Sequence, residues 1–406
     1  MIQIFFVLML TLPTAFQMQR GVFLALITAV AGIFALKQWS VNRDIFYIWL
    51  ATIVVGFFGV FWGVVNDAPG ALRVSTVYIV WPALFLIYIG LSHSLNIIKA
   101  LEKAVFLGIL LATITSLIVM FAGYLGYEGV IYPLLVFLDA GFGSYDGHIA
   151  YRVYSLTTVM YGFTFILSYI LVNRNELQGF KRVFIYTLLV FIVIAALGSA
   201  RRAFWLVMLL GPFIALFFLQ ASYFRLNLTR FLSLIFKIFF VFLIFVPILI
   251  LILKLDLNTL LELFVSAFSS QESSTGLRFL QAESLWSKFI QSPLIGHGLG
   301  SAADVVRSSE QPWAYELSYL ALLMNVGVIG FIVYAAAVLW IIVKGIKISR
   351  KDSAFAKLFV PLVSALCTFL IMNATNPYLG KFDYLWVIFL PLALINAYLT
   401  QRTQYD

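Results

Sequence analysis

Long apolar runs, separated by short polar intervals, occupy almost the whole chain. Most runs are about 20 residues long, the length that an α-helix needs to cross the hydrocarbon core of a bilayer. The runs lack the alternation of apolar and polar residues that marks outer-membrane strands. The pattern therefore predicts about twelve transmembrane helices, at residues 2–16, 21–36, 45–65, 74–91, 104–124, 154–172, 183–199, 203–220, 233–253, 316–343, 356–372 and 382–400.

One polar interval is much longer than the others and covers residues 254–313, between the ninth and tenth predicted helices. It contains two segments in which apolar residues recur at helical spacing, at 260–268 and 277–289. Ser292-Pro293 is expected to end the second segment. A glycine-rich turn, Gly296–Gly300, then leads back into apolar sequence. The interval predicts a helical loop placed over the membrane helices.

A second polar interval, residues 126–152, contains the apolar stretch 130–138. This stretch is too short to span a bilayer, so a re-entrant or interfacial position is expected for it. No linker, charge block or internal repeat divides the chain. We therefore expect an all-α polytopic protein with one membrane domain, 1–406, into which the two polar intervals are inserted as loops.

Composition agrees with a membrane protein. Of the 406 residues, 63% are hydrophobic and 11% are charged, whereas soluble domains carry about 25% charged residues. So few charges cannot cover a water-facing surface, and the bilayer must solvate most of the chain. This excludes an ordinary soluble enzyme and removes any reason to expect a nucleic-acid partner.

The net charge of +9 reflects the distribution of lysine and arginine among the loops. If both termini are cytoplasmic, most of these residues fall in very short cytoplasmic loops, as the positive-inside rule requires. Most acidic residues then fall on the other side. This orientation predicts that both long polar intervals face away from the cytoplasm.

Two adjacent arginines, Arg201 and Arg202, depart from that charge rule. They lie in a very short non-cytoplasmic interval between two predicted helices. Ionisable residues at membrane depth are candidates for function by default. The alternative is that both side chains extend to lipid headgroups.

Three further arginines are predicted on the same side. Arg278 is expected in the first turn of a helix, where a guanidinium beside unpaired N–H groups would suit a diphosphate. The alternative for Arg278 is a surface pair with Glu272 or Glu283. Arg73 and Arg152 each stand at the non-cytoplasmic end of a predicted helix. Each alone could bind headgroups, but several arginines on one face favour a shared anionic substrate.

Glu316 is the acidic residue at the start of the tenth predicted helix. A carboxylate in this position could act as a general base, or it could form a structural ion pair with one of the arginines. His297 is more often a hydrogen-bonded loop residue than a base. No His, Cys or carboxylate spacing indicates a metal site, so no metal or other cofactor is predicted. Aromatic side chains expected to line a substrate groove are Trp286, Trp313, Tyr315 and Tyr319.

Three blocks of sequence resemble the superfamily of O-antigen polymerases and O-antigen ligases. The first resembles the family's Ser-Arg turn, the second its Arg-bearing helix with a Pro-Leu-x-Gly-x-Gly pattern, and the third its re-entry helix. The blocks lie in the second half of the chain, and their order and spacing are more specific than any one of them. They are GSARRAFWLVMLL (Gly198–Leu210), GLRFLQAESLWSKFIQSPLIGHGLG (Gly276–Gly300) and ELSYLALLMNVGVIGF (Glu316–Phe331).

The resemblance implies a glycosyltransferase of the C type in the bacterial inner membrane, with a periplasmic active site. Such an enzyme joins oligosaccharide repeat units carried on undecaprenyl diphosphate, lies in membrane lipid and can work with a chain-length regulator protein. Its catalytic residues would be Glu316, Arg278, Arg201 and Arg202. Residues that would bind substrate are Arg73, Arg152, His297, Tyr315 and Tyr319.

Two other functions remain open. The family's ligases, which transfer the glycan to lipid A core or another acceptor, usually place a histidine where this chain has Glu316. That difference favours the polymerase. A third hypothesis is that the protein transports lipid-linked oligosaccharide. It is disfavoured because the sequence shows no inverted repeat and no matched pair of broken helices.

Overall fold

The computed structural model describes residues 2–13, 17–138, 140–145, 148–153, 155–199, 201–227, 229–233, four single positions between 236 and 247, and 273–402. Within these ranges the regular secondary structure is helical apart from one two-stranded hairpin. The helices are α1 (Ile2–Thr11), α2 (Gln17–Gln38), α3 (Arg43–Val65), α4 (Ala71–Ser75), α5 (Trp81–Leu91), α6 (Leu95–Tyr124), α7 (Tyr132–Phe137), α8 (Leu156–Asn173), α9 (Gly179–Gly198), α10 (Arg202–Ala221), α11 (Ser273–Gln291), α12 (Ser318–Ser349), α13 (Ser353–Asn373) and α14 (Trp386–Arg402).

The described part of the chain contains nine helical stretches long and apolar enough to cross a membrane, so the protein is a multi-pass membrane protein. Two other predicted spans correspond to shorter helices, α1 with 10 residues and α14 with 17. The predicted span at 233–253 lies outside the described residues except at five positions, and the apolar segment 260–268 lies wholly outside them. The total of about twelve spans stays a prediction. The nine stretches are Met18–Gln38, Arg43–Val65, Ala71–Leu91, Leu95–Tyr124, Leu156–Asn173, Gly179–Gly198, Ala203–Ala221, Ser318–Ser349 and Ser353–Asn373.

The chain packs as two compact units. The first consists of Met1–Ala29, Asn96–Leu260 and Gly345–Thr368, and the second of Val30–Leu95, Leu261–Lys344 and Phe369–Asp406. Boundaries between the units fall inside α2, α6, α12 and α13. A division without a linker leaves no mark in composition, which is why the sequence did not indicate it.

Helix α8 forms the core of the first unit, and almost all of its residues are buried. Small hydroxyl side chains join it to its neighbours, as is typical of packed membrane helices. Thr158 Oγ1 donates a hydrogen bond to the Leu10 carbonyl of α1 (2.7 Å). On the α13 side, Ser168 Oγ donates to Ser364 Oγ (2.7 Å).

The second polar interval folds into the short helix α7 and a β-hairpin. Strand β1 (Gly141–Tyr145) pairs antiparallel with β2 (His148–Arg152). Helix α7 has six residues, in agreement with an apolar stretch too short to span. The hairpin was not predicted, although the Asp-Gly sequence between its strands is a strong hairpin signal. The hydroxyl of Tyr151 donates to the Ala195 carbonyl of α9, which ties β2 to the first unit.

Candidate functional site

Helix α12 is interrupted within the membrane-spanning sequence. Gly327 has φ 65° and ψ −175°, so the helical hydrogen-bond ladder stops there, whereas the sequence predicted one continuous span. Backbone groups freed inside a bilayer must find partners in the protein. The loop Pro293–Gly300, which follows α11, provides them. The bonds run from Val328 N–H to Pro293 O (2.9 Å), Ile329 N–H to Leu294 O (3.2 Å), His297 N–H to Met324 O (3.0 Å) and Gly298 N–H to Asn325 O (2.9 Å).

Glycine is required where the loop and the break meet. Gly327 adopts a positive φ that side chains rarely allow, and a Cβ there would lie 2.2 Å from the Leu294 carbonyl oxygen. Gly298 has φ 93°, and its Cβ would lie 2.3 Å from Gly63 Cα of α3. The predicted glycine turn is therefore present, and it serves to bring two backbones into contact.

The loop Pro293–Gly300 also packs against the backbone of α3. The Leu299 N–H donates to the Gly59 carbonyl (2.8 Å), and a Cβ on Gly63 would lie 2.3 Å from the Leu299 carbonyl oxygen. Gly59 precedes the end of α3 at Val65 by about 9 Å, at 1.5 Å per residue. Part of the interval predicted to lie over the membrane helices is thus packed among them in the second unit.

The carboxylate of Glu316, which precedes α12, lies between two arginines. Arg278 Nε, on α11, donates to Glu316 Oε2 at 2.7 Å, and Arg307 Nη1 pairs with Glu316 Oε1. The side chains of Arg278, Glu316 and Arg307 are 33%, 15% and 52% exposed. The ion pair considered for Glu316 is confirmed, while its role as a base stays a prediction. The sequence analysis did not single out Arg307, because a pairing across a loop has no local signal.

Arg278 differs from its prediction in two details. It lies in the second turn of α11, which begins at Ser273, so the unpaired N–H groups of the first turn do not surround it. Its ionic partner is Glu316, not Glu283, and Glu272 lies outside the described residues. In the part of the chain that the structure describes, only Nε of this guanidinium is bonded. Its Nη groups are further N–H donors of the same guanidinium, of the kind that an anion can bind.

His297 joins α11 to the loop. Its Nε2 lies 2.6 Å from the Lys288 carbonyl, one of the last carbonyls of α11, and its own carbonyl accepts from Asn66 Nδ2 (3.3 Å). These contacts agree with the prediction of a hydrogen-bonded loop residue. A catalytic role for His297 has no support from these contacts.

The two tyrosines predicted to line a substrate groove are held by backbone groups. The Tyr315 hydroxyl oxygen accepts from the Ala303 N–H (2.6 Å), and the side chain is buried. Burial raises the pKa of the Tyr315 phenol above its usual range. The Tyr319 hydroxyl donates to the Leu370 carbonyl (2.6 Å). Both side chains thus stabilise the start of α12. Arg73, another predicted substrate-binding residue, is exposed in the last turn of α4.

The remaining predicted arginines belong to the first unit and are Arg152, Arg201 and Arg202. Arg201 precedes α10, where its backbone N–H donates to Ser199 Oγ (3.3 Å). Burial raises the pKa of the Tyr151 phenol, and the Arg201 charge opposes that shift. Arg152 follows Tyr151 on β2 and Arg202 begins α10. The convergence of Arg201 and Arg202 with Arg278 stays a prediction, since they belong to different units.

No family model matches the chain, and no curated protein matches it. The second and third resembling blocks nevertheless meet within the second unit, through the Arg278–Glu316 pair and the loop in α12. Among the described residues, no group of three His, Cys, Asp or Glu side chains could hold a metal ion.

Proposed function

We propose that the protein is a surface-polysaccharide polymerase, a glycosyltransferase that joins oligosaccharide repeat units carried on undecaprenyl diphosphate. The observation that carries the proposal is the Arg278–Glu316–Arg307 cluster, set at the start of an interrupted membrane helix. A polar cluster at this position suits a substrate with a membrane-embedded tail and a charged linkage. The proposal takes the periplasmic face of the bacterial inner membrane as the site of reaction.

In the proposed glycosyl transfer the leaving group is an anion, the lipid diphosphate. When the bond between the anomeric carbon and the diphosphate oxygen breaks, negative charge grows on the diphosphate. Preorganised cations stabilise such charge, often as the largest single contribution to catalysis. Glu316 fixes the orientation of Arg278 through Nε, so that the Nη groups can bind two phosphate oxygens.

The acceptor sugar completes the reaction. Its hydroxyl oxygen forms the new bond to the anomeric carbon, and Glu316 receives the hydroxyl proton as general base. The lipid diphosphate departs with the bonding electrons. The Arg278 guanidinium stabilises the charge of this leaving group.

A transporter of lipid-linked oligosaccharide gains one argument from the structure. Interrupted helices commonly form the binding sites of transporters, where freed backbone groups face the substrate or ion. In this protein the loop Pro293–Gly300 occupies those groups around Gly327. The break therefore anchors a loop, which favours the polymerase. The ligase differs from the polymerase only in its acceptor, and Glu316 in place of histidine disfavours it.

A reconstituted reaction separates the three functions. Purified protein in nanodiscs would be incubated with single lipid-linked repeat units from a panel of undecaprenyl diphosphate oligosaccharides. A polymerase yields a ladder of lengthened products, whereas a ligase needs an added acceptor and a transporter changes no covalent bond. An Arg174→Ala variant is the control, because Arg174 is exposed at the end of α8. Unchanged substrate with every member of the panel would contradict the proposal.

A further inference from the structure

One face of α11 exposes a row of large apolar side chains. Phe279, Trp286 and Ile290 are 57%, 50% and 57% exposed. Their spacing of seven and four residues aligns them along one side of the helix. Exposed rows of this kind mark surfaces that bind another apolar phase or a partner. We call these three residues the α11 ridge.

The opposite face of α11 already has its partners. Leu285 and Phe289 belong to a buried cluster with Tyr315 and Met324. A helix that packs on one side normally shows polar residues on the other. Since α11 is apolar on both, the ridge serves a second surface.

Polar residues border the ridge on one side. Ser287 and Gln291 are exposed and form this border, while the exposed Glu283 lies in line with the ridge, seven residues before Ile290. Gly276 and Leu280, together with Phe279 and Glu283, line an open depression beside them. An apolar ridge next to a polar border is the arrangement of helices that lie in a membrane interface.

The position of α11 relative to the membrane helices of its own unit identifies the second surface. Its last turn is fixed to the loop, because His297 Nε2 lies 2.6 Å from the Lys288 carbonyl. The same loop then bonds to Gly59 inside α3. Between them, Leu294 and Ile295 are exposed and continue the apolar surface of the ridge. The ridge is thus continuous with a segment that enters among membrane-spanning helices.

We propose that α11 lies on the lipid bilayer, with the ridge inserted at the boundary between headgroups and acyl chains. The inference does not depend on the proposed enzymatic activity. It explains why an exposed helix presents phenylalanine, tryptophan and isoleucine to its surroundings. The partner that it requires, lipid, already surrounds a multi-pass membrane protein. Arg278, on another face of the same helix, is then held near the level of the headgroups.

Spin labels provide the test. Cys367 is the single cysteine, so a Cys367→Ser background allows one label at a time, at Phe279→Cys or Ile290→Cys. Ser287→Cys on the polar border is the matched control. In nanodiscs, labels at 279 and 290 should be relaxed by oxygen more than by a water-soluble nickel complex, at a depth of about 5–10 Å below the phosphates. The label at 287 should show the reverse preference.

Two outcomes would overturn the proposal. Labels at 279 and 290 that respond to nickel like the control would place the ridge in water. Labels shielded from both reagents would mean that protein covers the ridge, either residues 248–272 or a second copy of the chain. If cysteine variants fail to fold, the native chain can be irradiated in nanodiscs containing a photoactivatable phospholipid. Lipid adducts on the peptide 273–291 are expected, and their absence while α3 is labelled would contradict the proposal.

Discussion

The Nε of Arg278 and the Oε2 of Glu316 lie 2.7 Å apart, across 38 residues of sequence. The pair fixes the arginine through Nε, and the two terminal nitrogens are the donors that the proposal assigns to the diphosphate. Glu316 also pairs with Arg307, so removing the carboxylate would leave two cations without their shared partner. Orientation of the arginines and proton transfer would both depend on this residue.

Glu316→Gln should therefore reduce polymer formation far more than His297→Ala. Glutamine keeps the shape of the side chain but removes the charge and the capacity to accept the acceptor proton. His297 contributes a hydrogen bond to the end of α11, so its loss should lower the free energy of unfolding by about 1 kcal/mol and leave most activity. Product length on gels, compared at equal amounts of folded protein, measures the difference. The reverse order would make His297 the base.

Gly327→Ala should disrupt the second unit. The alanine Cβ would meet the Leu294 carbonyl at 2.2 Å, at a backbone conformation that alanine rarely adopts. Backbone strain of this kind costs about 1–3 kcal/mol before the steric contact is added. Thermal unfolding in detergent, followed by light scattering, should show a lower transition temperature and less protein in the membrane fraction.

Gly32→Ala is the matched control, because nothing lies within 4 Å of a Cβ at that position of α2. Alanine within a helix is favoured over glycine by about 0.5–1 kcal/mol, so this variant should be at least as stable as the parent chain. Equal transition temperatures for Gly327→Ala and the parent would show that the loop does not occupy the break in α12.

The sequence predicted those features of the fold that are determined by local rules along the chain. Spans such as α3 and α9 were predicted within a few residues, because a bilayer imposes length and apolarity on any helix that crosses it. The end of α11 at Gln291 was also predicted, since the proline at 293 restricts the residue before it. Both rules act locally along the chain.

The break at Gly327 could not be predicted in this way. Hydropathy depends only on the side chains of α12. The break instead depends on the backbone conformation of one residue and on four hydrogen bonds to a loop that is distant in sequence. Likewise, the spacing of Gly59 and Gly63 in α3 is typical of close packing between membrane helices. The structure shows that they admit Leu299 of the loop. Long-range partners of this kind leave only a conspicuous glycine in the sequence.

Tyr151→Phe should loosen the hairpin of the first unit. The variant loses the hydrogen bond from the phenol to the Ala195 carbonyl, which contributes about 1 kcal/mol. Limited proteolysis should then cut within residues 140–153 faster than in the parent, while the helices remain resistant. Equal cleavage rates would show that this bond does not hold the hairpin.

The central claim is that Arg278 binds the diphosphate of a lipid-linked sugar, and binding of undecaprenyl diphosphate tests it most directly. Affinity would be measured in nanodiscs for the parent chain, Arg278→Gln and the control Arg174→Gln. Hydrogen bonds to a charged group contribute about 1.5–3 kcal/mol, so Arg278→Gln should raise Kd about 10- to 100-fold, with the control unchanged. Equal Kd values for all three proteins would contradict the account.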